Sequence, residues 1–220
     1  ADTAIPAKGM GMISDQLASG LSAEELILND GVLNIDGTEV RTVSGKTYNS
    51  GNILIATAAD SVPAPFQRPH LEKKSVTCMY FSADKAPYQK ALIALNANSN
   101  RLVNNIAVMS NVSADYAPEG KSLISVSLTD KHLLFEPESL ELKIKDELKF
   151  WYPDCINWEL LKTYTIPYAL PDNRQVTNDI LPSSIRINDS TFICGDHLMN
   201  GSINAAMKSG RLAAEAILSI

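Results

Sequence analysis

The sequence is poor in the residues that carry metal or disulfide chemistry. It has three cysteines and three histidines in 220 residues. Cys78, Cys155 and Cys194 are far apart and odd in number, no CxxC pair exists, and His70, His132 and His197 lack zinc-ligand spacing. A zinc site is not expected, and reduced thiols in a cytoplasmic compartment are. No apolar run approaches the roughly 20 residues that span a bilayer, and the first residues lack the charged-then-apolar order of a signal peptide. Positive charge is scarce as well. Nineteen Lys and Arg stand against 25 Asp and Glu, a net charge of −6, so no nucleic-acid partner is expected. Aromatics are only 6% of the chain.

What is present is an ordinary globular composition, 45% hydrophobic and 20% charged, with room for one large domain or two small ones. "IPAKGMGMISDQLASGL" predicts a loop and a short helix capped by Ser14, with Met12, Ile13, Leu17 and Leu21 in a stripe. Strand-like runs follow: "ELILN", "GVLNID", "TEVRTVS", "KTYNS" and "NILIATAA". Asn29-Asp30-Gly31 and Asp36-Gly37 supply turns between them, so a small antiparallel meander is expected. Asn52 to Ala56 shows no alternation, which predicts a strand covered on both faces.

"SVPAPFQRP" has three prolines in nine residues and marks a boundary. A second strand-rich region lies beyond it ("SVTCMYFSA", "KALIALNA", "NNIAVMSNVS", "SLISVSLT"). "PESLELKIKDELKFWY" then predicts an amphipathic helix with a solvated polar side. "KTYTIPYAL" reads as a strand ended by Pro171, and "TFICG" as a short buried one.

The most structured stretch is "GDHLMNGSINAAMKSGRLAAEAI", Gly195 to Ile217. A strand ends at Gly195, Asp196 stands at its end, and Gly201-Ser202 precedes a helix. Ser202 is placed to cap that helix. The free N–H groups at Ile203, Asn204 and Ala205, together with the helix dipole, favour an anion or a polarised carbonyl. Ile203, Met207, Gly210, Ala213 or Ala214, and Ile217 fall at helical spacing, and small residues (Ala205, Ala206, Ser209, Gly210, Ala213 and Ala214) are expected to fill the inner face. Gly210 in mid-helix costs about 1 kcal/mol relative to Ala and implies a closely passing backbone or flat ligand. From the pattern alone, a helix docked tightly on a sheet and a ligand-binding helix are both open.

This stretch resembles the closing flavin-binding signature of the FAD-dependent amine oxidase, phytoene desaturase and protoporphyrinogen oxidase superfamily. Two further stretches are similar to that family. "IPAKGMGMISDQLASGL" resembles its P.GGM..L...LA..L segment, and "ILNDGVLNIDGTEVRTVSGKTYNSGNILIATAADSV" its V..I...G..V....G....AD.VI.A.P run. The resemblance implies an FAD cofactor. It puts Gly195 and Asp196 near the ribityl or pyrophosphate part, Gly201 and Ser202 at the turn, and the Ile203 and Asn204 amides toward the flavin C2 carbonyl and N1. Val32 matches a valine whose backbone meets the adenine, and Gly9 and Gly11 match glycines near the flavin ring.

One part of the family pattern is missing. GxGxxG after a strand holds the pyrophosphate, and "GMGMIS" has neither the third glycine nor a preceding strand. The expected fold is therefore α+β: a partial FAD-binding domain (strand meander plus C-terminal helix) with an inserted mixed-sheet substrate domain, the N-terminal Rossmann βαβ being absent. The expected boundaries are 1–66 and 185–220 for the FAD-binding part and 67–184 for the substrate domain.

The expected function is that of a C-terminal fragment, inactive alone, of a dehydrogenase, desaturase or oxidase that passes a hydride from a small apolar substrate to flavin N5. Ser202 stands where amine oxidases carry an aromatic, which argues against an amine substrate. Tyr164 and Tyr168 are candidate substrate contacts in "TYTIPYALPD". No general base can be named, Lys8, His70 and His132 being the candidates, each read as surface. A membrane surface occurs in some relatives, without separate support here. A non-catalytic interaction module, or one chain of a two-chain enzyme, are the alternatives.

Overall fold

The computed structural model describes residues 4–63, 65–66, 73–172 and 176–220. Helix α1 covers Gly11–Ala18. Strands β1 (Val32–Asp36), β2 (Glu39–Thr42), β3 (Thr47–Asn49) and β4 (Ile53–Ile55) follow, then β5 (Lys73–Ala83), β6 (Ile93–Leu95) and β7 (Val103–Val108). A single turn, α2 (Met109–Val112), leads to β8 (Ser122–Leu128) and α3 (Pro137–Leu148). The order ends with β9 (Glu159–Pro171), α4 (Pro182–Ile185), β10 (Thr191–Ile193) and α5 (Ile203–Leu218). The chain forms two compact units, one within Ala1–Leu26 and Ser75–Pro167, the other within Ile27–Lys74 and Tyr168–Ile220.

The first unit is built on a five-stranded sheet in the order β6-β7-β8-β5-β9. Alternate residues of β5, β7 and β8 point to one face, because side chains in a strand repeat every two residues. Met79, Phe81, Ile106, Ile124 and Val126 are buried there with Leu140, Ile144 and Leu148 of α3. Each such side chain contributes about 1.5–3 kcal/mol on burial. Pro137 opens α3, where a missing N–H costs nothing.

The polar side of α3 is not uniformly solvated, contrary to expectation. Lys145 is buried, and its ammonium donates to the Trp158 carbonyl at 2.6 Å and pairs with Glu141 at 2.7 Å. The Glu147 carboxylate accepts from Asn96 Nδ2 and from the Leu102 N–H, each at 2.7 Å. The flanks of the helix thus tie down the loops around it.

Residues 4–26 belong to this unit too, although the sequence groups them with the FAD-binding part. Tyr116 donates its hydroxyl to the Pro6 carbonyl at 2.8 Å. Two local expectations fail here. Ser14 lies inside α1 rather than at its cap, which is Met10 without a side-chain bond, and no residue of α1 is buried. "ELILN" forms turn and coil instead of a strand, since Glu25 folds back to accept the Ser22 N–H at 2.8 Å.

The second unit holds the antiparallel meander β1-β2-β3 and a parallel pair, β4 with β10. Asn29 (φ +60°) and Gly37 (φ +58°) occupy the left-handed conformations their turns require. Ile53 and Ile55 pack with Ile35, Val62 and Ile193. Leu54 is 37% exposed, so β4 is covered on one face, not two. β10 is buried on both faces, with Phe192 and Cys194 packed near Ile185 and Ala213 of α5.

Candidate functional site

The site is built where β10 ends. Its ladder with β4 continues one residue past the strand, Cys194 donating to the Ile55 carbonyl at 2.9 Å. Both strands run the same way, so both open at the same, carboxyl end, where parallel sheets receive ligands. Gly195 follows with φ +153°, and a Cβ there would lie 2.5 Å from the His197 ring. The glycine is needed because the ring leaves no room for a side chain there. Asp196 begins a 3-10 turn through Leu198, closed by the Met199 N–H on the Asp196 carbonyl at 2.9 Å.

Gly201 is held by a different constraint. A Cβ would come 2.9 Å from Leu170 Cδ2 and 3.2 Å from Pro171 Cδ, so this turn lies directly against the end of β9. Ser202 then caps α5, its Oγ accepting from the Ala205 N–H at 3.1 Å and donating to Asn200 Oδ1 at 2.7 Å. The Ala206 N–H goes to the Ser202 carbonyl at 3.0 Å. The Ile203 and Asn204 amides have no partner among the described residues. They form a dipole-backed pair of donors at the helix start.

α5 docks on a different face from the one its large residues suggest. Ala205, Ser209 and Ala213 are buried, while Ile203 and Met207 are half exposed. Small side chains let the helix approach β10 and α4 closely, and the larger ones point elsewhere. Nothing among the described residues lies within 4 Å of a Cβ built on Gly210. The close neighbour that its position implied is not found there. Ser209 carries the least expected contact: its Oγ accepts from the Gly195 N–H at 2.9 Å and donates to the Ala206 carbonyl at 2.8 Å. Its sequence signal was slight, a serine four residues from an alanine on either side.

Val32 opens β1 and lines an apolar cavity of about 520 Å³ together with Ile35, Val40, Ile53 and Ile55. Gly9 and Gly11 stand at the start of α1, in the other unit, with open space around both Cα atoms. Tyr168 lies in the unit of Asp196. Its hydroxyl oxygen is buried without a hydrogen-bond partner among the described residues. Burial raises its pKa, and the Asp196 and Asp60 carboxylates raise it further. Lys73 faces the same ring at 5.9 Å and Asp60 at 3.9 Å. The sequence had no signal for that cluster, because Asp60, Lys73, Tyr168 and Asp196 are dispersed along it.

Tyr164 lies in the sheet unit and stacks edge-on against Tyr80, centroids 5.9 Å apart. Of the candidate bases, Lys8 is exposed and His70 lies outside the described residues. His132 is buried rather than on the surface. Its Nδ1–H donates to the Thr129 carbonyl at 2.7 Å, so Nε2 accepts from Thr77 Oγ1 at 2.9 Å. No group of metal-ligating side chains occurs among the described residues, and none of their helices is long and apolar enough to cross a membrane.

Parallel strands ending beside a capped helix with free amides make the geometry of a nucleotide-cofactor fold. The cofactor expected there fits: two open donors for a carbonyl or anion, a glycine-paved approach, and an apolar recess beside Val32. The chain belongs to the flavin containing amine oxidoreductase family, whose model matches residues 1–218. It is therefore part of an oxidoreductase family whose cofactor is a flavin, FAD.

No curated protein matches the chain by sequence. Solved structures share its fold. One is assigned as a protoporphyrinogen oxidase from Exiguobacterium sp. 255-15 (13% identity, TM-score 0.68, 96% of this chain and 52% of that one). Another is a putrescine oxidase variant (13%, 0.67, 97% and 54%). A third is a protein from Pyrococcus furiosus (15%, 0.64, 94% and 53%). The chain thus spans about half the length of these structures.

Proposed function

We propose that this chain is the C-terminal half of an FAD-dependent dehydrogenase, desaturase or oxidase acting on a small apolar substrate. The observation that carries the reading is the start of α5, where Ser202 caps the helix and leaves the Ile203 and Asn204 amides open. Bound FAD supplies a two-electron acceptor for a hydride leaving a substrate carbon. The chain's own part is to hold and polarise it. The Ile203 and Asn204 N–H groups and the α5 dipole offset negative charge, Gly195 and Asp196 line the ribityl or pyrophosphate side, and Val32 borders the adenine.

The flavin-binding part takes in residues 1–66 and 185–220, and residues 67–184 form the substrate domain, with Tyr164 and Tyr168 as candidate substrate contacts. Ser202 in place of an aromatic, with no aromatic from Gly195 to Ile220, supports an apolar substrate over an amine. The three cysteines, none in a disulfide, fit a reducing cytoplasm.

Flavin absorbance tests the reading. The complete gene product should purify with stoichiometric FAD and lose it on Gly201→Val, while the 220-residue chain alone should retain little. Stoichiometric FAD on the isolated chain overturns the half-site reading. A gene product that never binds flavin favours a non-catalytic interaction module.

A further inference from the structure

We infer that the sheet unit carries a second binding site, for a phosphate monoester on an apolar or aromatic body. It is a cavity of about 480 Å³ between the loop that enters β7, the 3-10 turn Asp130–Leu134 and α3. Arg101, Lys131 and Lys143 bring cations to its wall, and Leu102, Leu134 and Phe135 give it an apolar side. All six lie in the unit that comprises Ser75–Pro167, and none is among the residues assigned to the flavin. Three separate stretches of chain thus bring charge of one sign to one place.

None of the three cations meets a carboxylate partner among the described residues. Arg101 donates from Nη1 to the Asn98 carbonyl at 2.7 Å, and its Nε–H is buried without an acceptor among those residues. Lys131 donates to neutral oxygens, the Ser99 carbonyl at 3.1 Å and Asn100 Oδ1 at 2.7 Å. The Lys143 ammonium stands 4.5 Å from the centre of the Phe135 ring. Two carboxylates share the wall, and both are committed elsewhere. Asp146 pairs with Lys149, and Glu147 accepts from Asn96 Nδ2 and from the Leu102 and Val103 N–H groups. Three cations against two carboxylates leave a positive surplus there, in a chain whose net charge is −6. Such a surplus attracts an anion.

The ligand's chemistry follows from the donors. One guanidinium fork satisfies a planar carboxylate, whereas lysines act on phosphate as point charges. A tetrahedral dianion accepts from several directions at once, which suits one arginine and two lysines. Turning toward such an anion also gives the Arg101 Nε–H the acceptor that it lacks. The volume falls within the range of small-molecule pockets, about 300–1,000 Å³, so phosphate alone would leave the apolar side empty. Leu134 is 77% exposed, and an apolar body on the ester covers it.

Calorimetric titration of the complete gene product with naphthyl phosphate tests this. Affinity should drop about tenfold or more in the double variant Lys131→Gln, Lys143→Gln, and it should fall with added salt. Lys90→Gln, at an exposed lysine outside the cavity, should leave it unchanged. Inorganic phosphate and naphthol should each bind about tenfold more weakly than the ester, or worse, because each uses one side of the cavity. Phosphatidylcholine vesicles carrying phosphatidate form a second arm. Capture by these vesicles, lost in the double variant, without binding of the soluble ester assigns the phosphate to a lipid headgroup. Binding of the ester assigns it to a soluble metabolite, and either result upholds the site. Equal affinity for naphthol and the ester overturns the inference, as does binding that the double variant leaves untouched. Failure of both the ester and the vesicles to bind overturns it too.

Discussion

The Gly195 N–H donates to Ser209 Oγ across 2.9 Å, joining the end of β10 to the second turn of α5. Ser209 is fully buried and donates its hydroxyl hydrogen bond to the Ala206 carbonyl. The turn that carries Asp196 is thereby fixed to the helix that carries the open amides. Ser209→Ala leaves the part-buried Gly195 N–H without its acceptor, at a cost of about 1–3 kcal/mol. Urea denaturation of the isolated chain should show that loss. A change below a few tenths would mean the contact does not form.

Gly195→Ala should be more damaging. The added Cβ meets the His197 ring at 2.5 Å in a backbone conformation unfavourable to any side chain. Overpacking and strain together cost about 2–4 kcal/mol. His197→Ala in the same chain should recover the steric part and leave the strain. A double-mutant cycle with no coupling would contradict the packing described.

Gly210→Ala should have opposite effects in two settings. Nothing within 4 Å opposes the methyl group among the described residues, so the isolated chain should gain about 1 kcal/mol from helix propensity. If the rest of the protein packs on that face, the gene product should gain less or lose stability. Thermal melts of both forms make the comparison, and equal gains would show that Gly210 faces open space throughout.

The alkaline limb of stability follows from the tyrosines. Burial raises the pKa of Tyr80, Tyr88, Tyr152 and Tyr168 above the ordinary 10.0. Above that pH the unfolded chain has released protons that the native state keeps, so stability falls as pH rises. It is fully present below pH 10 and declines from there toward the higher folded values. Tyr168→Phe and Tyr152→Phe should each flatten the decline seen in urea melts between pH 9 and pH 11. An unchanged slope would mean these phenols titrate as in water.

Much of the local structure was legible because it depends on short-range rules. Alternation marked β5 and β8, a 3.6-residue stripe marked α3, and Ser202 marked the start of α5 through its capping chemistry. The failures are cases where distant chain decides. "ELILN" has strand composition but no neighbour to pair with, and Ser14 had cap chemistry but the helix began earlier. The inner face of α5 was legible in its small residues, Ala205, Ser209 and Ala213 being the buried ones, because size, not hydrophobicity, governs how closely a helix can approach β10.

The sequence by itself determined the glycine, aspartate and capped-helix order from Gly195 to Asn204, and with it the flavoprotein family. Backbone conformation and capping are settled within a few residues, so that order survives folding intact. Only the tertiary structure decided why Gly195 and Gly201 must lack side chains, which residues gather around Tyr168, and which cations meet beside Phe135. Those depend on groups far apart in the chain meeting at contact distance, and no local pattern records such a meeting.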